Sequence, residues 1–198
     1  MKSRIALLSG SSRPQSQSLK VARFLQERLE RLQLCDATDL IDLASIRLPL
    51  WPEKDQDEVW RKQQQLLQNA TALVVVSPEW NGMACPALKN FFLYAGLAEL
   101  GHKPALLVGV SAGSGGAYPI AELRASSYKN SRIMYLPEHL IVRNVDHVFN
   151  EDMPASDNDI RLRTRSDWVL RMLSSYDRAL NSIRSEIDMF NGDHSTGM

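Results

Sequence analysis

Segments suited to strands alternate with segments suited to helices along most of this chain, and this order constrains the fold more than any other feature. Short apolar runs typical of buried strands are each followed by a longer stretch with apolar residues at helical spacing. The strand candidates are 5–8, 37–43, 73–76, 106–110 and 139–142, and the helix candidates are 18–32, 57–69, 87–95, 117–127 and 165–189. Such alternation predicts an α/β protein with a parallel sheet of five strands and helices on both faces.

Composition limits the classes of protein that this sequence can encode. With 198 residues, of which 44% are hydrophobic, the chain can bury one full core. We therefore expect a single domain over residues 1–190 and a disordered tail over 191–198. A formal net charge of zero argues against a nucleic-acid-binding protein.

Targeting and metal-binding signals are weak. The N-terminus enters a strand candidate directly, without a signal peptide, and no apolar run approaches the length of a membrane span. Cys35 and Cys85 lie far apart, and the histidines have no metal-ligand spacing. These features predict a cytoplasmic protein with reduced thiols, without membrane contact and without a metal site.

The loop after the first strand is suited to an anion. It reads Ser-Gly-Ser-Ser-Arg-Pro-Gln-Ser-Gln-Ser over residues 9–18, and a helix candidate follows. Free amides at a helix N-terminus, hydroxyl donors and the guanidinium of Arg13 all favour a phosphate group. The loop lacks both the nucleoside-triphosphate P-loop and the G-x-G-x-x-G dinucleotide pattern, which leaves a single terminal phosphate. Helix capping by Ser16 or Ser18 accounts for the same residues equally well.

The stretch from Ser77 to Asn90 follows the third strand candidate and is rich in Pro, Asn and Gly. Open α/β sheets hold ligands in loops at the carboxyl ends of their strands. The backbone amides of this stretch and the flat face of Trp80 suit a planar aromatic ring. An ordinary connection between a strand and a helix is the alternative interpretation.

The loop after the fourth strand, residues 111–117, consists mainly of small residues that allow a ligand to approach the backbone closely. Residues 109–113 also match the G-x-S-x-G nucleophile elbow of serine hydrolases, with Ser111 as the nucleophile. A hydrolase needs an acid and then a histidine downstream. Asp146 and His147 are adjacent in sequence, and His194 lies in the predicted tail, so the hydrolase remains a minor alternative.

Taken together, the segments 10–13, 78–82 and 111–116 resemble the NAD(P)H-dependent FMN reductase family of flavodoxin-like proteins. The second segment matches that family's motif onward through Pro86, Leu88, Lys89 and Asn90. The resemblance implies a doubly wound sheet of order 2-1-3-4-5 that binds FMN between strands 1 and 3. It also implies NADPH or NADH as co-substrate.

The resemblance assigns cofactor contacts by position and no catalytic side chain. It implies phosphate contacts from one loop, a border for the isoalloxazine ring from the second and a border for the opposite side of the ring from the third. These positions are Ser11, Arg13, Ser16, Gln17 and Ser18; then Pro78, Glu79, Trp80, Asn81 and Gly82; then Ser111, Gly113 and Gly116. Trp80 stands where the family usually has tyrosine, and Gln17 and Ser18 also depart from its usual pattern.

The implied function is transfer of hydride from NAD(P)H to bound FMN and onward to a small-molecule acceptor. Free flavin, a quinone, an azo compound and a metal oxyanion all remain open as acceptors. A non-enzymatic electron carrier or redox sensor with the same fold is the alternative, although this chain lacks the strongly acidic composition of such carriers. The family and the apolar run at 91–94 predict a homodimer or homotetramer that associates through residues 91–100.

Overall fold

A computed structural model of the protein describes residues 2–53 and 58–186. Its sheet contains five parallel strands and a short antiparallel strand that pairs with the end of the central one. The strands are β1 (Arg4–Ser9), β2 (Ala37–Asp42), β3 (Ala72–Trp80), β4 (Met83–Ala84), β5 (Pro104–Val110) and β6 (Met134–Val142). The parallel strands lie in the order β2-β1-β3-β5-β6. Numbered without β4, this is the order 2-1-3-4-5, so the flavodoxin-like fold expected from the sequence is confirmed, with one additional strand.

The helices alternate with the strands, as the spacing of apolar residues predicts. They are α1 (Gln17–Arg31), α2 (Leu43–Ile46), α3 (Val59–Asn69), α4 (Pro86–Tyr94), α5 (Leu97–Leu100), α6 (Tyr118–Ser126) and α7 (Asp157–Glu186). Residue 57, the predicted start of the second helix, and the predicted tail at 191–198 lie outside the described residues. None of the helices within 2–53 and 58–186 is long and apolar enough to cross a membrane.

Helix α7 begins at Asp157, earlier than the predicted start at residue 165. Two acidic residues, Asp157 and Asp159, occupy its first turn, where the helix dipole favours negative charge. The Oγ atom of Ser156 accepts a hydrogen bond from the backbone N–H of Asp159 at 3.2 Å. Serine at position 156 is a typical N-cap residue and marks the true start of α7. The spacing of apolar residues alone does not reveal this start.

Two apolar cores cover the two faces of the sheet. On one face, α1 and α7 pack against Ile5 and Leu7 of β1, among other strand residues. On the other face, side chains of α3, α4 and α6, including Phe91, pack near Ala6 and Leu8. Strands that are covered on both sides become continuously apolar, which explains the apolar runs at 5–8, 73–76 and 106–110.

Strand β3 is longer than its apolar run at 73–76, because partners on both sides extend it. Pro78 lies opposite Val110 of β5, and Glu79 and Trp80 pair with β4. The Pro-Glu-Trp segment therefore belongs to a strand, whereas the sequence analysis placed it in a loop. Asn81 and Gly82, with φ of 49° and 71°, form the two-residue connection to β4. Positive φ at both positions is typical of the Asn-Gly turns that close hairpins.

Strand β1 lies at the point where the strand order changes direction. The chain reaches β2 on one side of β1 and β3 on the other. The loops after β1 and β5 and the β3–β4 turn therefore emerge at the same edge of the sheet. Doubly wound sheets hold their ligands at this position.

Candidate functional site

The first turn of α1, which follows the loop after β1, leaves backbone amides without an acceptor inside the helix. Ser16 caps α1, and its Oγ accepts a hydrogen bond from the backbone N–H of Leu19 at 3.1 Å. Capping by Ser16 is thus confirmed, but it satisfies only one amide of the first turn. The amides of Gln17 and Ser18 have no acceptor within the helix, which is the general state of a helix N-terminus. An anion bound there would accept hydrogen bonds from these two amides.

One hydrogen bond within this loop and one to the neighbouring strand β3 fix its shape. The buried Ser11 accepts a hydrogen bond on Oγ from the backbone N–H of Arg13 at 3.1 Å. The backbone N–H of Gly10 donates to the carbonyl oxygen of Val76 at 2.8 Å. A Cβ atom on Gly10 would lie 2.7 Å from that same oxygen, so only glycine permits the approach. The loop is therefore shaped before any ligand binds.

Arg13 extends from this loop to the end of β3. Its guanidinium carbon lies 4.7 Å from the centroid of the Trp80 ring, which is a cation–π distance. Trp80 is partly buried and packs against the second core. The structure thus brings together the residue predicted to bind phosphate and the residue predicted to border an aromatic ring.

Glu79 connects β3 to the loop after β5. Its Oε2 atom accepts hydrogen bonds from the backbone N–H groups of Gly116 at 2.6 Å and of Tyr118 at 3.2 Å. Tyr118 is the first residue of α6, so the carboxylate also lies at the positive end of a helix dipole. A Cβ atom on Gly115 would collide with this carboxylate. Glu79 therefore holds the third loop in place, whatever it contributes to a ligand.

The surroundings of Ser111 do not form a nucleophile elbow. Its Oγ atom accepts a hydrogen bond from the backbone N–H of Gly113 at 3.2 Å, and α6 begins only at Tyr118. The elbow motif requires a sharp turn directly from strand to helix, and a histidine in contact with the serine. His147 is exposed, and no hydrogen bond joins it to Ser111 among the described residues. The geometry disfavours the serine hydrolase.

Nine of the thirteen predicted site residues line one cleft of about 350 Å³, which lies within the size range of small-molecule sites. They are Ser11, Arg13, Ser16, Gln17, Ser18, Pro78, Glu79, Trp80 and Ser111. Asn81 lies outside this cleft and lines a neighbouring one. Gly82, Gly113 and Gly116 line neither of these two clefts but shape the turns beside them.

The turn after β6 also reaches the cleft, and the sequence analysis missed this contribution. Val145 lines the cleft, and its backbone N–H donates to the carbonyl oxygen of Ser111 at 3.2 Å. The side-chain amide of Gln17 donates to Oδ1 of Asp146 at 2.6 Å. The predicted topology could have indicated this contribution. In a parallel sheet the carboxyl end of β6 lies beside that of β5, so the turn after β6 reaches the same edge.

A larger groove, of about 730 Å³, lies between α1 and the segment 149–152. Its basic side chains are mostly paired with protein groups. Arg28 binds Asp167 at 2.6 Å, and Arg163 binds Asp159 at 3.0 Å. The Lys20 ammonium donates to the carbonyl oxygens of Val145 and Val148. These cations are already neutralised or hydrogen-bonded by protein groups. The larger groove is therefore a weaker candidate for an anionic ligand than the smaller cleft, despite its size.

Lys103 and His139, two groups with shifted pKa values, lie away from the cleft. Burial lowers the pKa of Lys103 to about 8, and this residue directly precedes β5 at the opposite edge of the sheet. Burial likewise lowers the pKa of His139, which lies within β6. No cluster of three or more metal-ligating side chains occurs within residues 2–53 and 58–186. The cleft is thus equipped to bind and orient a cofactor by hydrogen bonds and ring contacts.

The sheet order and the cleft at its switch point define a flavodoxin-like α/β protein, a class that holds nucleotide cofactors at this edge. The family model of the NADPH-dependent FMN reductases matches residues 3–147. This range includes all three loops of the site. The chain belongs to this family, and it is an FMN-dependent NAD(P)H oxidoreductase.

Individual relatives agree with this assignment. The chain is 29% identical over 127 residues to an NADPH azoreductase of Bacillus sp. (strain OY1-2), which covers 62% of this chain and 67% of the relative. Its fold is similar to that of FerB, a flavoenzyme NAD(P)H:(acceptor) oxidoreductase from Paracoccus denitrificans, with a TM-score of 0.71, 20% identity and coverage of 90% and 98% of the two chains. It also matches an NADH:FMN oxidoreductase, EmoB, in its apo form, with a TM-score of 0.62, 16% identity and coverage of 90% and 89%.

Proposed function

We propose that FMN binds in the cleft lined by Arg13 and Trp80, with its phosphate at the N-terminus of α1. The observation that supports this most strongly is the convergence of the three motif loops on one cleft. The donor set fits a phosphate monoester, because it combines free helix amides, hydroxyl groups and one guanidinium. Gly10 packs directly against Val76 and Leu88, where a side chain would collide, so the start of this loop is held against the protein.

When bound, FMN would supply the hydride chemistry between NAD(P)H and an acceptor. The chain's own residues bind and orient the cofactor. Trp80 offers an aromatic border for the ring, and Glu79 keeps the loop at 111–117 in position. The backbone amides of the Asn81–Gly82 turn and of the loop near Gly113 are the proposed donors that would stabilise negative charge on the flavin ring.

The acceptor is a small molecule in this proposal, and free flavin, quinones, azo compounds and metal oxyanions are its candidate classes. Either NADPH or NADH serves as the hydride donor. An electron carrier or redox sensor would bind FMN in the same cleft but would not turn over NAD(P)H. Family membership favours the enzyme.

Two measurements test the function. Purified protein, or protein reconstituted with FMN, should show the visible absorption bands of an oxidised flavin. It should then oxidise NADPH or NADH in the steady state when a quinone is added. A yellow protein without this turnover would support the electron carrier instead. Stoichiometric labelling of Ser111 by a fluorophosphonate would revive the serine hydrolase.

We also retain the proposals of a single domain over 1–190, of a cytoplasmic location and of a homodimer or homotetramer. The apolar surface available for self-association is smaller than the sequence indicated, because Phe91 is buried and Phe92 packs against the core. Leu93 remains exposed on the outer side of α4. Sedimentation of the wild type against Leu93→Glu tests whether this region joins subunits; a monomeric wild type at micromolar concentration would contradict it.

A further inference from the structure

An apolar cleft of about 450 Å³ adjoins the proposed flavin cleft, and Trp80 lines both. Its walls include Leu50, Met83 and Leu93, which are 67%, 53% and 58% exposed. Ala84 and Pro86 complete the apolar lining. Large apolar side chains exposed together around a concavity mark a binding surface more often than a solvated one.

The charged groups at this cleft are paired. Lys89 Nζ lies 2.7 Å from Glu122 Oε1. The hydrogen bond from Lys89 is the main reason that the pKa of Glu122 falls below its usual range, so the pair stays ionised and its net charge is zero. The other carboxylate oxygen of Glu122 accepts from the backbone N–H of Ala84 at 2.6 Å. Among the lining residues that the structure describes, no unpaired charge is therefore left for an ionic ligand.

Two asparagine side chains line the same cleft, and they differ in their hydrogen bonds to the protein. Asn90 donates to the carbonyl oxygen of Pro49 at 2.8 Å and accepts from the backbone N–H of Trp51 at 2.9 Å. The side chain of Asn81 has no hydrogen-bond partner among the residues that the structure describes. It is exposed in the turn between β3 and β4 and can donate to a ligand oxygen. Within the described lining, the cleft thus offers a broad apolar wall beside the free amide of Asn81.

We infer that this cleft holds the non-reacting ring of an uncharged, two-ring aromatic acceptor, and that Met83 and Leu50 select for such acceptors. The inference rests on the proposed function, and it narrows the open list of acceptor classes. The reacting ring would extend past Trp80 toward the flavin cleft, and Asn81 would donate to a carbonyl oxygen. An anionic acceptor would lose its hydration here without gaining a counter-charge.

The reaction is balanced for a quinone. NAD(P)H supplies a hydride, which carries two electrons and one proton, and solvent supplies the second proton. The quinone leaves as the hydroquinone, with both oxygens protonated, and NAD(P)⁺ is released. No further oxidant or reductant takes part.

The first test compares 1,4-naphthoquinone with its 2-sulfonate as acceptors for the FMN-loaded enzyme, with dioxygen as a small, uncharged reference acceptor. Met83→Glu places a carboxylate in the apolar wall. It should lower kcat/KM for the neutral quinone, relative to dioxygen, by about tenfold, mainly through KM. Met83→Leu keeps the volume and the apolar character, and it should stay within about twofold of the wild type. Leu50→Glu, on the facing segment, should repeat the effect of Met83→Glu.

A second variant should move the preference in the opposite direction. Glu122→Gln removes the counter-charge of Lys89 but keeps an oxygen that can accept from the backbone N–H of Ala84. The unpaired ammonium should raise the relative kcat/KM of the sulfonate by about threefold to tenfold. A general loss of folding cannot produce this gain, so the variant separates specificity from stability.

Binding without turnover supplies an independent readout. Isothermal titration of the oxidised holoprotein with 1,4-naphthoquinone, in the absence of NAD(P)H, should show weaker binding to Met83→Glu than to Met83→Leu.

Equal affinities and equal acceptor preferences in all variants would overturn the inference. A change of oligomeric state in Met83→Glu with an unchanged acceptor preference would also overturn it, because the cleft would then be a contact between copies of the chain. A protein that binds no FMN, or that reduces no acceptor including dioxygen, would instead refute the proposed function.

Discussion

The guanidinium carbon of Arg13 lies 4.7 Å from the centroid of the Trp80 ring, across the junction between the loop after β1 and the end of β3. The contact joins two motifs that the sequence separates but that neighbouring parallel strands bring to one edge. A stacked guanidinium at this junction is positioned beside both the helix N-terminus and the aromatic border. It therefore connects the two halves of the proposed FMN site.

Replacing Arg13 with alanine should weaken FMN binding tenfold or more, since a hydrogen bond to a charged group contributes ~1.5–3 kcal/mol. Arg13→Lys keeps the charge but loses the planar fork that stacks on Trp80, and we expect an intermediate affinity. Titration of FMN followed by fluorescence quenching measures both effects. Unchanged affinity in Arg13→Ala would remove this residue from the phosphate site.

Glu79→Ala should loosen the loop at 111–117 without unfolding the protein. The carboxylate accepts two backbone hydrogen bonds, from Gly116 and Tyr118, and the substitution removes both. Amide hydrogen exchange in this loop should accelerate by about tenfold or more, as expected for the loss of ~1–3 kcal/mol. Glu79→Gln can still accept one bond and should exchange at an intermediate rate. Exchange at wild-type rates in Glu79→Ala would show that the loop is held by other contacts.

Gly109 and Gly113 occupy one short motif but should respond differently to alanine. A Cβ atom on Gly109 would collide with the carbonyl oxygen of Gly116, whereas a Cβ atom on Gly113 meets nothing within 4 Å. Gly109→Ala should therefore destabilise the fold by about 1–3 kcal/mol or more, and lower Tm by roughly 3–10 °C. Gly113→Ala should leave Tm nearly unchanged. Thermal unfolding followed by circular dichroism compares the two variants, and equal Tm values would contradict the close contact between the strand and the loop.

Lys103 should make stability depend on pH above neutrality. Burial, with a smaller contribution from Arg184, lowers its pKa to about 8 in the fold, while Glu99 opposes the shift. In the unfolded chain a lysine has a pKa near ~10.4, so the folded state binds fewer protons between these values. The free energy of unfolding should then rise with pH across this window, because the penalty for the buried charge disappears.

Lys103→Met serves as the comparison for this effect. Between pH 7 and pH 10 the wild type should gain roughly 2–3 kcal/mol relative to the variant. The ammonium donates to the carbonyl oxygen of Leu67 at 2.6 Å, so the variant also loses a contact at the end of α3 at every pH. Urea unfolding at several pH values separates the two contributions, because only the first varies with pH. A constant difference between the two proteins would show that Lys103 titrates as an ordinary lysine.

The order of strands and helices followed from the sequence, since apolar periodicity is a local property. Helices α1, α4 and α6 begin and end within one residue of their predicted positions. The parallel topology then required the loops after β1, β3 and β5 to share an edge, and nine of the predicted site residues do line one cleft there. The Asn-Gly dipeptide at 81–82 is also a hairpin signal in the sequence, although the segment around it is predicted to be a loop.

Other features depended on contacts between residues that lie far apart in sequence. Glu79 holds the loop at 111–117, Arg13 stacks on Trp80, and Val145 reaches the cleft from β6. Phe91 is buried, although the composition of its segment indicated a surface for subunit contact. Side-chain direction and burial are set by the packing of neighbouring elements. The sequence alone thus determined the architecture and the edge that carries the site, whereas tertiary packing decided which groups at that edge face a ligand and which ones support the loops.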